Sequence, residues 1–153
     1  MAETFSMTIA APPERVWALI DDQENLKRWM DGLEDTTYPD GLDRTRPVGT
    51  RFVQRIREGG RVAEYQGVVT AYERLKHLGI EIGNRAFTMA VDYRLTPVAE
   101  GGTQLDYSAA MKRSGAFVRV MMVLFGWLTR KILRKQMAKL KALAEEPATP
   151  APV

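Results

Sequence analysis

The sequence predicts an α+β domain: one curved antiparallel sheet of six or seven strands wrapped around a long C-terminal helix, with two short helices after the first strand. Three observations predict it. From Thr4 to Met111, segments alternate apolar and polar residues with the period of two that marks half-buried strands. From about Ala116 to Glu146 the apolar residues recur with a helical period instead. The resulting order is one strand, two short helices, a run of strands and a long helix. That order favours a single antiparallel sheet with helices segregated to one side.

Each element has its own signal. Phe5, Met7 and Ile9 oppose Thr4, Ser6 and Thr8 in the first strand. Pro12 and Pro13 stop it and open a helix, because proline is tolerated in the first helical turn. Val16, Trp17 and Ile20 make that helix's apolar stripe, and the stripe is expected to pack on the first strand and the C-terminal helix. Asp21 and Glu24 fit a capping box for a second short helix, buried through Leu26, Trp29 and Met30. Tyr38 to Gly49 is turn-rich. Strands are predicted over Thr50–Arg57, Arg61–Glu73, Leu78–Ile82 and Phe87–Leu95, with a last one through Leu105, Tyr107, Ala109 and Met111. Gly59-Gly60 and Gly101-Gly102 read as hairpin turns. Residues 1–146 thus form one domain, and the proline-rich 147–153 segment is expected to be disordered.

On a helical wheel, Val118, Met122, Phe125, Ile132, Gln136, Leu140 and Leu143 gather on the side expected to face the sheet. Val120, Val123 and Trp127 project the other way. A helix apolar all round over Phe117–Leu128 must hide its second face. A loop of the same chain, a second subunit in a homodimer, or a membrane surface would each do so. Gly126 is a place where the helix could kink.

Composition narrows the function classes. The chain has 153 residues and 45% hydrophobic residues, which suits one domain with a substantial core. It has no cysteine, which excludes disulfides and thiolate chemistry. Met1–Met7 is polar, unlike a signal peptide, and no stretch approaches the roughly 20 apolar residues that span a bilayer, so a cytoplasmic protein is expected. The net charge of +3 is unevenly placed: residues 112–144 hold nine Lys and Arg and no Asp or Glu. The basic helix is either a solvated face or a contact for an anionic surface. Nucleic acid is an unlikely partner, since no aromatic interleaving or reading motif accompanies those charges.

Candidate chemistry is sparse. His77 is the only histidine, so no metal site with its usual ligands and no Ser-His-acid set is expected, and His77 reads as a solvated turn residue. No glycine-rich phosphate loop is present, and no cofactor is expected. Asp92 and Asp106 alternate outward, and Glu64 and Glu73 have no secure placement, so no catalytic acid or base stands out. Tyr93 and Tyr107 fall on the apolar faces of their strands, which sends their hydroxyls inward, where a phenol needs a partner. Tyr65 joins them if Gly67, Val69 and Ala71 face inward with it, and Gln54 shares a face with Phe52 and Ile56. Met89, Met111, Met121 and Met122 either fill the core or give a cavity an adaptable lining. The expected ligand-binding set is Phe52, Gln54, Tyr65, Val69, Met89, Tyr93, Tyr107, Met111, Met121 and Phe125.

The run Ile9-Ala-Ala-Pro-Pro-Glu-Arg-Val-Trp-Ala-Leu-Ile-Asp-Asp, with Glu24-Asn25-Leu26 and Trp29 after it, resembles the SRPBCC (START-like) superfamily, and within it the polyketide cyclase/dehydrase and lipid-transport branch. Val48-Gly49-Thr50, Val68-Val69-Thr70-Ala71-Tyr72-Glu73 and Leu140-Lys141-Ala142-Leu143-Ala144-Glu145 are similar to phrases of the same group. One departure is Arg74-Leu75, where the group usually has a proline pair. The resemblance implies a helix-grip fold that holds a hydrophobic small molecule, such as a lipid, isoprenoid or aromatic polyketide, as carrier or sensor. It also admits a metal-free cyclase or dehydratase acting in the same cavity, or a membrane-surface or partner-binding module.

Overall fold

The alternating segments pair into a seven-stranded antiparallel sheet in the computed structural model of the chain, which describes residues 2–146. The expectation for 147–153 lies outside the described residues. The elements run β1 (Ala2–Ile9), α1 (Pro13–Asp21), α2 (Gln23–Trp29), β2 (Leu33–Thr37), β3 (Arg51–Glu58), β4 (Arg61–Glu73), β5 (His77–Gly83), β6 (Phe87–Pro97), β7 (Thr103–Ser114) and α3 (Ala116–Glu145). Spatial order is β1-β7-β6-β5-β4-β3-β2. The two short helices therefore carry the chain from one sheet edge to the other, and α3 packs against them and β1. The architecture is the α+β helix-grip.

One strand was not legible. β2, Leu-Glu-Asp-Thr-Thr, is short and polar, and its pairing with β3 is interrupted between Leu33 and Asp35. It is an edge strand, and edge strands tolerate charge and irregularity because one side carries no ladder.

The core forms where the strand faces and helix stripes predict it. Ile9, Val16, Trp17, Ile20 and Trp29 pack with Leu105 of β7 and Met137, Leu140 and Ala144 of α3, while Phe5 and Met7 are half-buried against them. Trp29 donates its indole N–H to the Leu19 carbonyl at 2.7 Å, which fixes its ring inside. The second helix is capped by Asp22, not Asp21: the Asp22 carboxylate accepts from Glu24 N at 2.8 Å and Asn25 N at 3.4 Å. That single-residue shift leaves Asp21 free for another role.

Two other expectations are corrected. β4 is bulged between Val69 and Ala71, so Val69 pairs with Ile80 whereas Ala71 pairs with Gly79 and Tyr72 with Leu78. The extra residue, Thr70, reverses the alternation: Val69 and Tyr72 face the interior, and Ala71 does not. His77 is not in a turn. It opens β5, and its Nε2 lies 2.6 Å from Asp92 Oδ1 on the outer face of the sheet. The turn is Arg74-Leu75-Lys76, where Leu75 takes the left-handed region at φ 68°.

The helix faces also differ from the wheel. Met137, Leu140 and Ala144 are buried and Leu133, Gln136 and Leu143 half-buried, but Met122, Phe125 and Ile132 are exposed. Only the second half of α3 is gripped. Among the described residues, no helix is long and apolar enough to cross a membrane.

Candidate functional site

A cavity of about 250 Å³ lies between the concave face of the sheet, the two short helices and the second half of α3. Its apolar walls follow from alternation: Leu78, Ile80 and Ile82 of β5 sit beside Met89 and Val91 of β6, as the register of these strands requires. Phe52 closes part of the wall by lying on Gly67. A Cβ at Gly67 would come within 2.2 Å of Phe52 Cζ, so the missing side chain is what lets the ring lie down.

Five polar side chains interrupt this lining: Thr36, Gln54, Tyr93, Tyr107 and Gln136. Thr36 Oγ1 is buried without a hydrogen-bond partner. Among the described residues, the side chains of Gln54, Tyr93, Tyr107 and Gln136 also make no hydrogen bond with protein groups. Polar side chains that line an apolar cavity offer donors and acceptors to a guest. Tyr93 is held edge-on by Trp29 at 6.4 Å and by Tyr107 at 5.3 Å between ring centroids. Burial pushes the Tyr93 hydroxyl well above the usual phenol range, and burial with the nearby Glu3 charge pushes Tyr107 up to about 12. Both phenols therefore keep their protons near neutrality and act as hydrogen-bond donors.

The mouth is polar and built from the loop between β2 and β3. Tyr38, Leu42, Arg44 and Pro47 of that loop line the cavity. Arg44 Nη1 stands 3.6 Å from Asp21 Oδ2, and the Tyr72 hydroxyl donates to the same carboxylate oxygen at 3.0 Å. Asp21, freed from capping, thus ties the loop to β4. Burial raises the Tyr72 and Tyr38 hydroxyls, with Asp21 adding to each. The loop is itself ordered by Asp43, which accepts from Thr45 N at 2.9 Å, and by Gly49 N donating to the Val69 carbonyl at 2.8 Å.

Of the residues expected at a site, Phe52, Gln54, Val69, Met89, Tyr93 and Tyr107 line this cavity together. Four do not. The Tyr65 hydroxyl turns along the hairpin to donate to Glu58, and its ring rests near Phe87. Met111 pairs with Met89 but lies beyond the wall. Met121 and Phe125 are on the exposed half of α3. Sequence reasoning missed Asp21, Arg44, Tyr72 and Gln136. Asp21 was hidden by the competing cap, Tyr72 by the bulge, and Arg44 by a loop whose path no periodicity reveals. Glu64 and Glu73 are exposed. Among the described residues, no three His, Asp or Glu side chains gather in a way that could hold a metal ion.

The sequence profile of a known family, polyketide cyclase / dehydrase and lipid transport, matches residues 3–145. The chain belongs to that family. This places it in the SRPBCC superfamily. Among solved structures, a protein from Arthrobacter aurescens superposes with a TM-score of 0.73 at 20% identity, covering 97% of this chain and 88% of that one. A START superfamily protein from Mycobacterium smegmatis gives 0.70 at 13% identity, covering 94% of this chain and 97% of that one. The di-domain ARO/CYC StfQ of the steffimycin biosynthetic pathway gives 0.70 at 14% identity, covering 94% of this family member and 44% of StfQ. At these identities the likeness is one of fold. No curated protein sequence matches the chain significantly.

Proposed function

We propose that this family member is a carrier or sensor for a hydrophobic small molecule that bears oxygen along its length, such as an isoprenoid or aromatic polyketide-like compound. The observation that carries this reading is the set of unpartnered polar groups in an otherwise apolar cavity. A plain acyl chain would leave Tyr93, Tyr107, Gln54 and Gln136 unsatisfied, each at a cost of about 1–3 kcal/mol, whereas hydroxyl or carbonyl groups on the guest would pair them. The volume supports a compact guest, since it falls near the lower bound of ligand pockets, roughly 300 Å³. Phe52, Gln54, Val69, Met89, Tyr93 and Tyr107 form its binding set, and Arg44 with Asp21 closes the mouth behind it.

Binding is favoured over catalysis by the state of the titratable groups. Both cavity phenols are proton donors with pKa values raised far from neutrality. The carboxylate at the cavity, Asp21, is already shared between Arg44 and Tyr72. Cyclisation or dehydration in the same cavity would require one of them to move a proton.

Native mass spectrometry of the purified chain tests the reading, with an apolar fluorescent probe as the titrant. The expected result is one retained or titratable molecule per chain, lost in Tyr93→Trp, where the larger ring fills the space. Equal probe binding by Tyr93→Trp and its parent would remove this cavity as the site. Tyr93→Phe with Tyr107→Phe separates the chemistry: affinity for an oxygenated guest should fall while affinity for a hydrocarbon rises.

A further inference from the structure

The first half of α3 presents an apolar surface that nothing among the described residues covers. Val123 is 84% exposed, Phe117 76%, Trp127 58% and Leu124 57%. The pattern is directional. The buried face of the second half, Leu133, Met137, Leu140 and Ala144, continues back along the helix through Gly126 and Met122 to Arg119 and Arg130. The opposite face reads Phe117, Met121, Leu124 and Leu128, then Lys131 and Lys135. The body-facing side of this half thus holds Met122, a glycine and two arginines, and the outward side is apolar as far as Leu128. A surface of this size is unusual for a monomer and calls for an occupant.

Charge selects which one. Residues 112–144 contain nine cations and no carboxylate. Some are used internally: Arg130 pairs with Glu3 at 3.3 Å, and Lys139 with Asp31 at 2.6 Å. Among the described residues, Lys131 and Arg134 pair with no acidic group and rim the apolar patch. In a homodimer formed through this face, the same patch meets itself and brings the cations of both copies together. A bilayer with anionic headgroups instead takes the apolar residues into its acyl boundary and pairs the cations at the same depth.

We infer that the first half of α3 docks the protein on an anionic lipid surface, with Phe117, Leu124 and Trp127 inserted and Lys131 and Arg134 on the headgroups. The inference rests on the exposure and charge of α3 and does not depend on what the cavity holds.

Sedimentation of the full chain with phosphatidylcholine vesicles, with and without phosphatidylglycerol, tests it. Binding is expected with the anionic vesicles alone and is expected to weaken with salt. Phe117→Ser with Leu124→Ser and Trp127→Ser should lower the partition coefficient by about a hundredfold, and neutralising Lys131 or Arg134 by about fivefold each. All five side chains lie outside the core, and circular dichroism of each variant checks that the fold is kept. Trp17 and Trp29 are 4% and 1% exposed, so a vesicle-dependent change in fluorescence reports Trp127. The docking role is overturned if the parent fails to bind anionic vesicles, or if the triple variant binds as well as the parent. It is also overturned if ultracentrifugation shows a dimer that the triple variant separates.

Discussion

The two halves of α3 have opposite fates, and the more apolar half is the less buried. From Leu133 to Ala144, aliphatic side chains at helical spacing enter the core, and charged ones pin the helix from outside: Lys135 and Lys139 flank Asp31, and Glu145 accepts from Ala10 N at 2.7 Å. From Phe117 to Leu128 the residues are larger and more aromatic, yet most are exposed. The difference teaches that apolar content alone does not bury a helix. A stripe is buried when a complementary surface reaches it, and here the core built with α1, α2 and β1 takes in Met137, Leu140 and Ala144 of the second half. Gly126 is buried in the first half, with the Arg130 guanidinium 3.5 Å from where a Cβ would lie.

Four measurements can break or sharpen this contrast. The largest effect is expected at Leu140, which is fully buried: Leu140→Ala should cost about 2–5 kcal/mol in chemical denaturation. A loss under about 1 kcal/mol there would mean that the second half is not the gripped one. The next concerns pH, because the second half closes over Tyr93 and Tyr107. Their folded hydroxyls are raised above the unfolded value of 10.0, so the native state holds protons that the unfolded chain releases. Stability should be unaffected by these groups below that value and should fall as pH rises through about 12. Tyr93→Phe with Tyr107→Phe should flatten this alkaline slope. Asp31→Asn should be smaller, about 0.2–1 kcal/mol, since its pairs with Lys139 and Lys135 are solvent-exposed. The hydrogen bond from Lys139 holds the Asp31 carboxyl below its usual range, so this contribution is present above that range and lost as acid protonates it. The smallest effect is expected in the first half. Leu124→Ser should change the stability of the free chain by no more than about 0.5 kcal/mol, as at other exposed positions.

Legibility in the sequence followed the regularity of the elements. β6 and β7 alternate without interruption over most of their length, so Val91, Tyr93, Leu95, Leu105 and Ala109 were readable as inward. The family phrases at Ile9–Asp22 marked the helix-grip. Cavity residues on those strands were legible for the same reason. Tyr72 was not, because one bulge lies between it and the alternation that Val69 obeys. Asp21 was not, because two adjacent aspartates compete for one cap and only geometry decides. The burial of α3 was misjudged at Met122, Phe125 and Ile132 because a wheel shows which residues share a side and not how far the neighbouring elements extend. Arg44 belongs to a loop, and loops carry no period.

Thr70 has a consequence for how this cavity could be reshaped. β4 runs in two phases, odd-numbered residues inward before Thr70 and Tyr72 inward after it, so its wall is written in two reading frames joined at one residue. Deleting Thr70 would put the strand in a single frame. Either Tyr72 would turn outward and release Asp21 and the mouth loop, or Val69 and Gly67 would turn outward and take away the seat of Phe52. A change of length by one residue would thus alter the entrance or the floor of the cavity without replacing any residue that lines it.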